Sequence, residues 1–232
     1  MWPEALYKYV VPARIDVLLS RKIRFTQGCF LNDPFEFRPG MPIADAGGLG
    51  RFEAKRALNG AAFFREKARL YGVLSLTEKS DSIPMWTHYA AAHTGFVIAF
   101  DTASEAFRTA LEEKKLCQVQ YQDKRPDLAR YPTTIFWTKS RDWEYEQEWR
   151  WLESDDPSEY ADVVAAPNGE LLYLRSIPPQ SIRAVILGLR TTSAVSESVQ
   201  TLLAAPDCRH VELQKVFLDE GHYKLRVGPL PR

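Results

Sequence analysis

Apolar side chains recur along this chain at two spacings, and those spacings predict its elements. Residues 5–10, 22–26, 72–77 and 117–121 carry the short alternating or apolar runs of strands. Residues 96–100, Phe-Val-Ile-Ala-Phe, are apolar without a break, which predicts a strand buried on both faces. Ile15, Leu18 and Leu19 fall at helical spacing within residues 14–20, and residues 51–71, 84–93 and 104–115 also read as helices. From about residue 182 the pattern is strand 184–187, helix 193–204, then strands near 211–216 and 223–227, a C-terminal α/β extension. Residues 40–50 and 123–132 are rich in loop formers. Strands and helices mix without strict βα alternation, so the expected fold is α+β: one domain, a mixed or antiparallel sheet with flanking helices. No linker or internal repeat divides the chain.

The sharpest local pattern is Trp143-Glu144-Tyr145-Glu146-Gln147-Glu148-Trp149-Arg150-Trp151-Leu152. At period two the aromatics fall on one side, with Glu144, Glu146, Glu148 and Arg150 on the other. A strand is therefore predicted over 143–152, with three carboxylates and a guanidinium on one surface. A half-exposed sheet with a solvated charged face would explain this. So would a working site, because crowded carboxylates repel one another unless something compensates.

Two further segments carry candidate chemistry. In Pro84–His93 the side chains of Trp86, Tyr89 and His93 share one helical face. Such a stripe suits the core, or else the stacking wall of a pocket with a few donors at its tips. In Asn32-Asp33-Pro34-Phe35-Glu36, Asp33 suits an N-cap, Pro34 the first helical position and Glu36 the third, a capping box. Asn32 is not needed for that cap and is free for a ligand.

Composition narrows the classes. Thirty basic and thirty acidic residues in 232 give no net charge, so no long-range field draws the chain to nucleic acid or an anionic membrane. Cys29, Cys117 and Cys208 are too few and too scattered for a disulfide framework or zinc cage; buried reduced thiols are expected. No stretch approaches the roughly 20 apolar residues of a membrane helix, and no signal-type core opens the chain, so a cytoplasmic protein without membrane partners is expected. GxGxxG, Walker, HExxH and GxSxG motifs are missing.

Several blocks come in a recognisable order: LYKY at 6–9, NDPFEF at 32–37, SLT at 75–77, MWTHYAAAHTGFVIAFD at 85–101, TKSRDWEYEQEWR at 138–150 and IRAVILGLR at 182–190. Together they resemble a bacterial family known as domain of unknown function 2971, which implies a bacterial or phage origin and no particular activity. A looser likeness is to ADP-ribosyltransferases, whose first strand carries His or Arg, a later strand Ser or Thr, and a further strand a catalytic Glu or ExE. Lys8 stands at the first position, departing from His. Ser75-Leu76-Thr77 stands at the second and Glu146-Gln147-Glu148 at the third.

That second resemblance implies an ADP-ribosyltransferase-like fold and a consumer of NAD, a transferase or glycohydrolase, in toxin or anti-phage biology. Glu148 would stabilise the oxocarbenium-like transition state, and Glu146 would orient the acceptor or act as base. Lys8, Ser75 and Thr77 would hold ribose and phosphate. Trp86 and Tyr89 would wall a ring, Asn32 would meet the ligand, and Arg150 would fix Glu148 or meet pyrophosphate. Two other readings stay open. A non-catalytic module binding a nucleotide or a protein would have Glu148 locked to Arg150 or Lys139, facing no cavity. A metal-dependent nuclease would use Glu144, Glu146 and Glu148 with Asp33 or Glu36 around Mg²⁺, although ligand spacing predicts no tightly bound metal.

Overall fold

The computed structural model describes residues 2–38, 40, 68–69, 71–126, 133–154, 160–166 and 171–230. Apart from Gly40, the predicted loop at 40–50, with nearly all of the predicted helix at 51–71, lies outside the described residues. Tyr71, placed at the end of that helix, instead opens a strand.

The fold is α+β, one domain built on a large mixed and mostly antiparallel sheet with few helices. Its strands are β1 Ala5–Val10, β2 Lys22–Gln27, β3 Tyr71–Thr77, β4 Phe96–Asp101, β5 Leu116–Gln118, β8 Glu148–Ser154, β9 Asp162–Ala165, β10 Leu171–Ser176, β11 Ile182–Leu187, β12 Glu212–Leu218 and β13 Leu225–Pro229. The main path runs β13-β12-β11-β4-β1-β3-β2-β10-β9, with β8 and β5 continuing from the other edge of β3. Two short strands, β6 Gln120–Gln122 and β7 Thr138–Ser140, pair in parallel beside it. The helices are α1 Asp16–Ser20, α2 Ile83–Tyr89, α3 Glu105–Glu112 and α4 Ser193–Leu203. Among the described residues no helix is long and apolar enough to cross a membrane.

The uninterrupted apolar run becomes β4, which lies between β1 and β11 with Phe96 to Phe100 all buried. Phe96, Ile98 and Phe100 pack with Phe107 and Val199 on one face and Val97 with Met85 and Trp86 on the other, so both faces are covered. Predicted strand 117–121 is broken into β5 and β6, because Val119 leaves the ladder, is buried, and donates its N–H to the Glu148 carbonyl at 2.9 Å. Strands β9 and β10 were not predicted. None of the three cysteines is in a disulfide; Cys208 is buried as expected, whereas Cys29 is exposed.

The junction around β3 shapes the front of the sheet. Strand β3 matches β8 along its whole length, from Tyr71 opposite Ser154 to Thr77 opposite Glu148. On its other edge it meets β2 only at Gly72 and Val73, and β1 only at Thr77, opposite Tyr7. Residues 74–76 therefore face a gap where β1 and β2 part. The Ser75 carbonyl on that edge accepts a hydrogen bond from the Lys8 ammonium at 3.0 Å. A side chain thus satisfies a main-chain acceptor that no strand covers.

The predicted helix 84–93 ends at Tyr89. Ser82 caps its start by accepting from the Met85 N–H. Beyond Ala90, the residues Ala91, Ala92 and His93 all take positive φ, at 47°, 53° and 71°. Alanine disfavours that conformation, so tertiary contacts must hold it. His93 N–H donates to the Trp86 carbonyl, Gly95 N–H to Ala90 and Arg190 N–H to His93. Gly95 and Gly188 make this crossing possible, since a Cβ would come within 2.1 Å of the Val10 oxygen and 2.2 Å of the His93 oxygen respectively.

Candidate functional site

The segment predicted as one long strand does two things. Residues Arg141–Glu146 form a 3-10 turn, capped by Ser140, whose hydroxyl accepts from Asp142 N–H. Gln147 follows in the left-handed region at φ 43°, and only then does β8 begin at Glu148. The alternation of residues 143–147 is thus coincidental. Tyr145 packs in a cluster with Trp86, and Glu144 is exposed and paired with Arg141 at 3.5 Å. Only Glu146, Glu148 and Arg150 come together of the four charged residues expected on one face. The Thr77 hydroxyl, bonded to the Glu146 carbonyl, ties the turn to β3.

From Glu148 onward, alternation holds. Glu148 and Arg150 point to one side, and Trp149 and Trp151 to the core on the other. Arg150 is 0 % exposed and is the hub of a buried ionic network. Its Nε donates to Glu148 Oε1 at 2.9 Å and its NH2 to Glu148 Oε2 at 3.1 Å, a two-pronged contact. The same NH2 reaches Glu36 Oε1 at 2.5 Å, and NH1 reaches the Phe136 carbonyl at 3.0 Å. Lys139, at the centre of β7, donates to Glu146 Oε2 at 2.6 Å and Glu148 Oε2 at 3.1 Å, with Glu36 Oε1 at 3.9 Å. Its ammonium also lies 4.7 Å from the centre of the Trp143 ring.

These contacts set the protonation states. Burial pushes the Glu148 carboxyl up, but Arg150 and Lys139 overcome it and hold its pKa at about 2, so it is ionised at neutral pH. Burial works against the Lys139 and Arg150 cations too, yet Glu148 beside both leaves their pKa values above ordinary. Glu36 goes the other way: burial, with repulsion from Glu148, raises its pKa despite Arg150, and its Oε2 has no hydrogen-bond partner. Counting formal charges, three carboxylates (Glu36, Glu146, Glu148) surround two cations (Lys139, Arg150).

Over this network lies a cavity of about 250 Å³ in the gap between β1 and β3. Lys8, Ser75, Thr77, Asn32, Tyr89, Glu146 and Glu148, all singled out in the sequence, line it. Tyr89 hydroxyl donates to Glu146 Oε1 at 2.6 Å and accepts from Asn32 Nδ2 at 2.9 Å. Burial raises its pKa, with Glu146 adding to the effect. Desolvation lowers the pKa of Lys8 to about 8, although Glu148 and Glu146 pull it up.

Two residues expected at the ligand, Trp86 and Arg150, do not line this cavity. Trp86 is wholly buried, edge-on to Tyr9 at 5.2 Å and stacked with His93 at 6.1 Å, its indole N–H on the Ser80 carbonyl. The aromatic stripe is core at this position. Arg150 is fully buried and fixes Glu148, the first of the two roles expected of it. The expected capping box at Asp33 does not form a helix. Asp33 Oδ1 accepts from Phe35 N–H in a turn, and Glu36 goes to Arg150 instead of back to the cap. A buried guanidinium offers a charged partner where the cap offers a neutral N–H, and charged bonds are the stronger.

The sequence offered Lys139 as an alternative to Arg150 in locking Glu148, and both engage it; Glu36 was expected in a cap or around a metal, not on Arg150. The usable signal was charge: Arg150 alone cannot neutralise two neighbouring buried glutamates, so a further cation had to come from elsewhere. For metals, among the described residues no three His, Cys, Asp or Glu side chains are placed to hold an ion. Glu36, Glu146 and Glu148 converge on the Lys139 ammonium, which fills the place a cation would take.

Residues 85–151 match the model of a family described as "Protein of unknown function (DUF2971)". The match contains α2, its left-handed exit, β4, Lys139, Glu146, Glu148 and Arg150, while Lys8, Asn32 and Ser75 fall outside it. No curated protein and no solved structure matches the chain, so the likeness to ADP-ribosyltransferases rests on this chain's residues alone.

Proposed function

We propose that the cleft between β1 and β3 binds NAD by its nicotinamide–ribose end and cleaves the N-glycosidic bond, passing ADP-ribose to water or to an acceptor group. One observation carries this reading: Lys8, Ser75, Glu146 and Glu148, from separate parts of the chain, line one cavity at the point where the sheet opens. A volume of about 250 Å³ suits a ring with its ribose and leaves the remainder of a dinucleotide outside.

The charges support the same chemistry. In NAD the pyridinium ring carries the positive charge, and as the bond breaks that charge moves to the ribose. The network below the cavity holds Glu148 ionised and fixed in place before any ligand arrives. Such preorganised charge lowers a cationic transition state without reorganisation. Glu148 is the electrostatic group, permanently ionised. Glu146, held by Tyr89 and Lys139, orients the acceptor or takes its proton. Lys8 holds a ribose hydroxyl or phosphate, with Ser75 and Thr77 beside it and Asn32 and Tyr89 opposite.

A second reading has its own observation. Arg150 and Lys139 engage both oxygens of Glu148, which suits a module that binds a nucleotide and performs no chemistry. Nicotinamide release separates the two. The catalytic reading predicts release by the wild type and at least about a hundredfold less by Glu148→Gln, the scale of one preorganised electrostatic contact. Binding of NAD without turnover by the wild type would establish the module instead.

A further inference from the structure

We infer that Lys8 is a nucleophilic amine, and that it condenses reversibly with the open-chain aldehyde of a small sugar held in the cleft. This goes beyond glycosidic cleavage and stands whether or not NAD is a substrate.

The geometry comes first. Lys8 reaches the cavity from β1 through the gap beside β3, and its nitrogen has one neutral acceptor, the Ser75 carbonyl at 3.0 Å. Among the described residues no carboxylate lies within ion-pair distance of it. Lys139 is the opposite case, since carboxylates surround it and keep it charged. The cleft therefore contains one lysine held as a cation and one left able to lose its proton. A lysine desolvated in this way is the form that builds imines with carbonyl compounds.

The electrostatics agree. The charged groups that act on Lys8 are Glu148 and Glu146, which raise its pKa, and Arg24, which lowers it; desolvation outweighs them. A fall from 10.5 to about 8 leaves about 300-fold more free amine at pH 7 than an ordinary lysine has. The walls supply the ligand class. Hydroxyls of Ser75, Tyr7 and Tyr89, with the Asn32 amide, can meet the hydroxyls of a small sugar beside the apolar Val73, Leu76 and Met85.

In the reaction the Lys8 lone pair attacks the carbonyl carbon, the C=O pair moves to oxygen, and a proton passes from nitrogen to that oxygen. The carbinolamine then loses water as the C=N bond forms. One water leaves, and no oxidant or reductant is used.

The test is reductive trapping of the wild-type protein with glyceraldehyde and cyanoborohydride, read by peptide mapping. Lys8 is expected to be labelled at pH 7 at least about tenfold faster than the exposed Lys114 and Lys224, even after allowing for the lower nucleophilicity of a less basic amine. Its rate should level off above pH about 8, while theirs keeps rising. Labelling of Lys8 at or below the rate of those two lysines would overturn the inference. Propanal run in parallel addresses the ligand class: it should lose Lys8 selectivity, and equal selectivity for both aldehydes would overturn the sugar assignment.

Discussion

The two faces of the β3–β8 ribbon each carry a cavity, and the two are built on different principles. Behind the ribbon lies the larger, about 570 Å³, walled by Phe25, Phe100, Phe107 and Trp151. Of the charged groups on its walls, Glu105, Glu113, Lys115, Glu153 and Arg175, only Glu153 is buried; it accepts from Trp151 Nε1 at 2.7 Å and Arg175 NH1 at 2.6 Å. In front lies the smaller, about 250 Å³, over Glu146 and Glu148 and the buried cations that hold them. Size and buried charge therefore fall on opposite faces. The rear face is what a sheet needs to bury itself. The front face withdraws five charged side chains from water, which costs more than an apolar face of the same shape and is poor evidence for stability as a goal. Such a cost, combined with an open cavity, points to a working surface.

The largest way to break this comparison is to remove the hub of the front face. Arg150→Ala leaves Glu148 and Glu36 buried without their main partner. It should destabilise the protein by about 3–5 kcal/mol in urea denaturation, as breaking a buried ion pair does. A loss under about 1 kcal/mol would mean that water compensates and that the network is not closed. For the same reason Glu148→Gln must be examined by melting curve beside its activity. The double contact with Arg150 makes some loss of stability part of the outcome.

The next effect depends on pH and belongs wholly to the front. Lys8 has a folded-state pKa of about 8 against 10.5 when free, so between those values the unfolded chain binds more protons than the folded one. Stability should therefore rise as pH goes from about 8 towards 10.5, and Lys8→Met should remove that part of the rise. Glu148 has the opposite sign: its depressed pKa contributes stability above about pH 4.5, which is lost as pH falls towards 2. Urea midpoints across pH for the wild type and Lys8→Met check both limbs.

The smallest effect sharpens the rear. Phe107, stacked on Phe100 at 5.1 Å and edge-on to Trp151 at 5.2 Å, can be changed to Leu at a cost of about 1 kcal/mol. Nucleotide binding should be unaltered within error. A change in affinity would mean that the two faces are coupled through the ribbon.

Much of this was legible in the sequence where one spacing dominates. The unbroken run at 96–100 and the spacing of Ile15, Leu18 and Leu19 each allow little else, and β4 and α1 form there. Lys8, Ser75, Glu146 and Glu148 were grouped through the likeness to ADP-ribosyltransferases, and they line one cavity although Glu146 lies in a 3-10 turn and not on a strand. What failed was local pattern overruled by distant contact. Residues 143–147 alternate like a strand, but the tie from Thr77 to Glu146 and the left-handed Gln147 make a turn of them. Ala91, Ala92 and His93 have a helical sequence and are held left-handed by their meeting with residues 188–190. Glu36 looks like a cap and is instead claimed by Arg150, 114 residues away along the chain. No local window contains that partner.

The central claim is that the charged front cleft, and not the roomier rear cavity, receives the ligand. Amide spectra of labelled Glu148→Gln protein, titrated with NAD under conditions where turnover is suppressed, test it most directly. Shifts are expected at Tyr7, Lys8, Ser75, Thr77 and Asn32, with Phe100, Phe107 and Ile177 unmoved. Shifts confined to Phe100, Phe107 and Ile177, or none at saturating NAD, would contradict it.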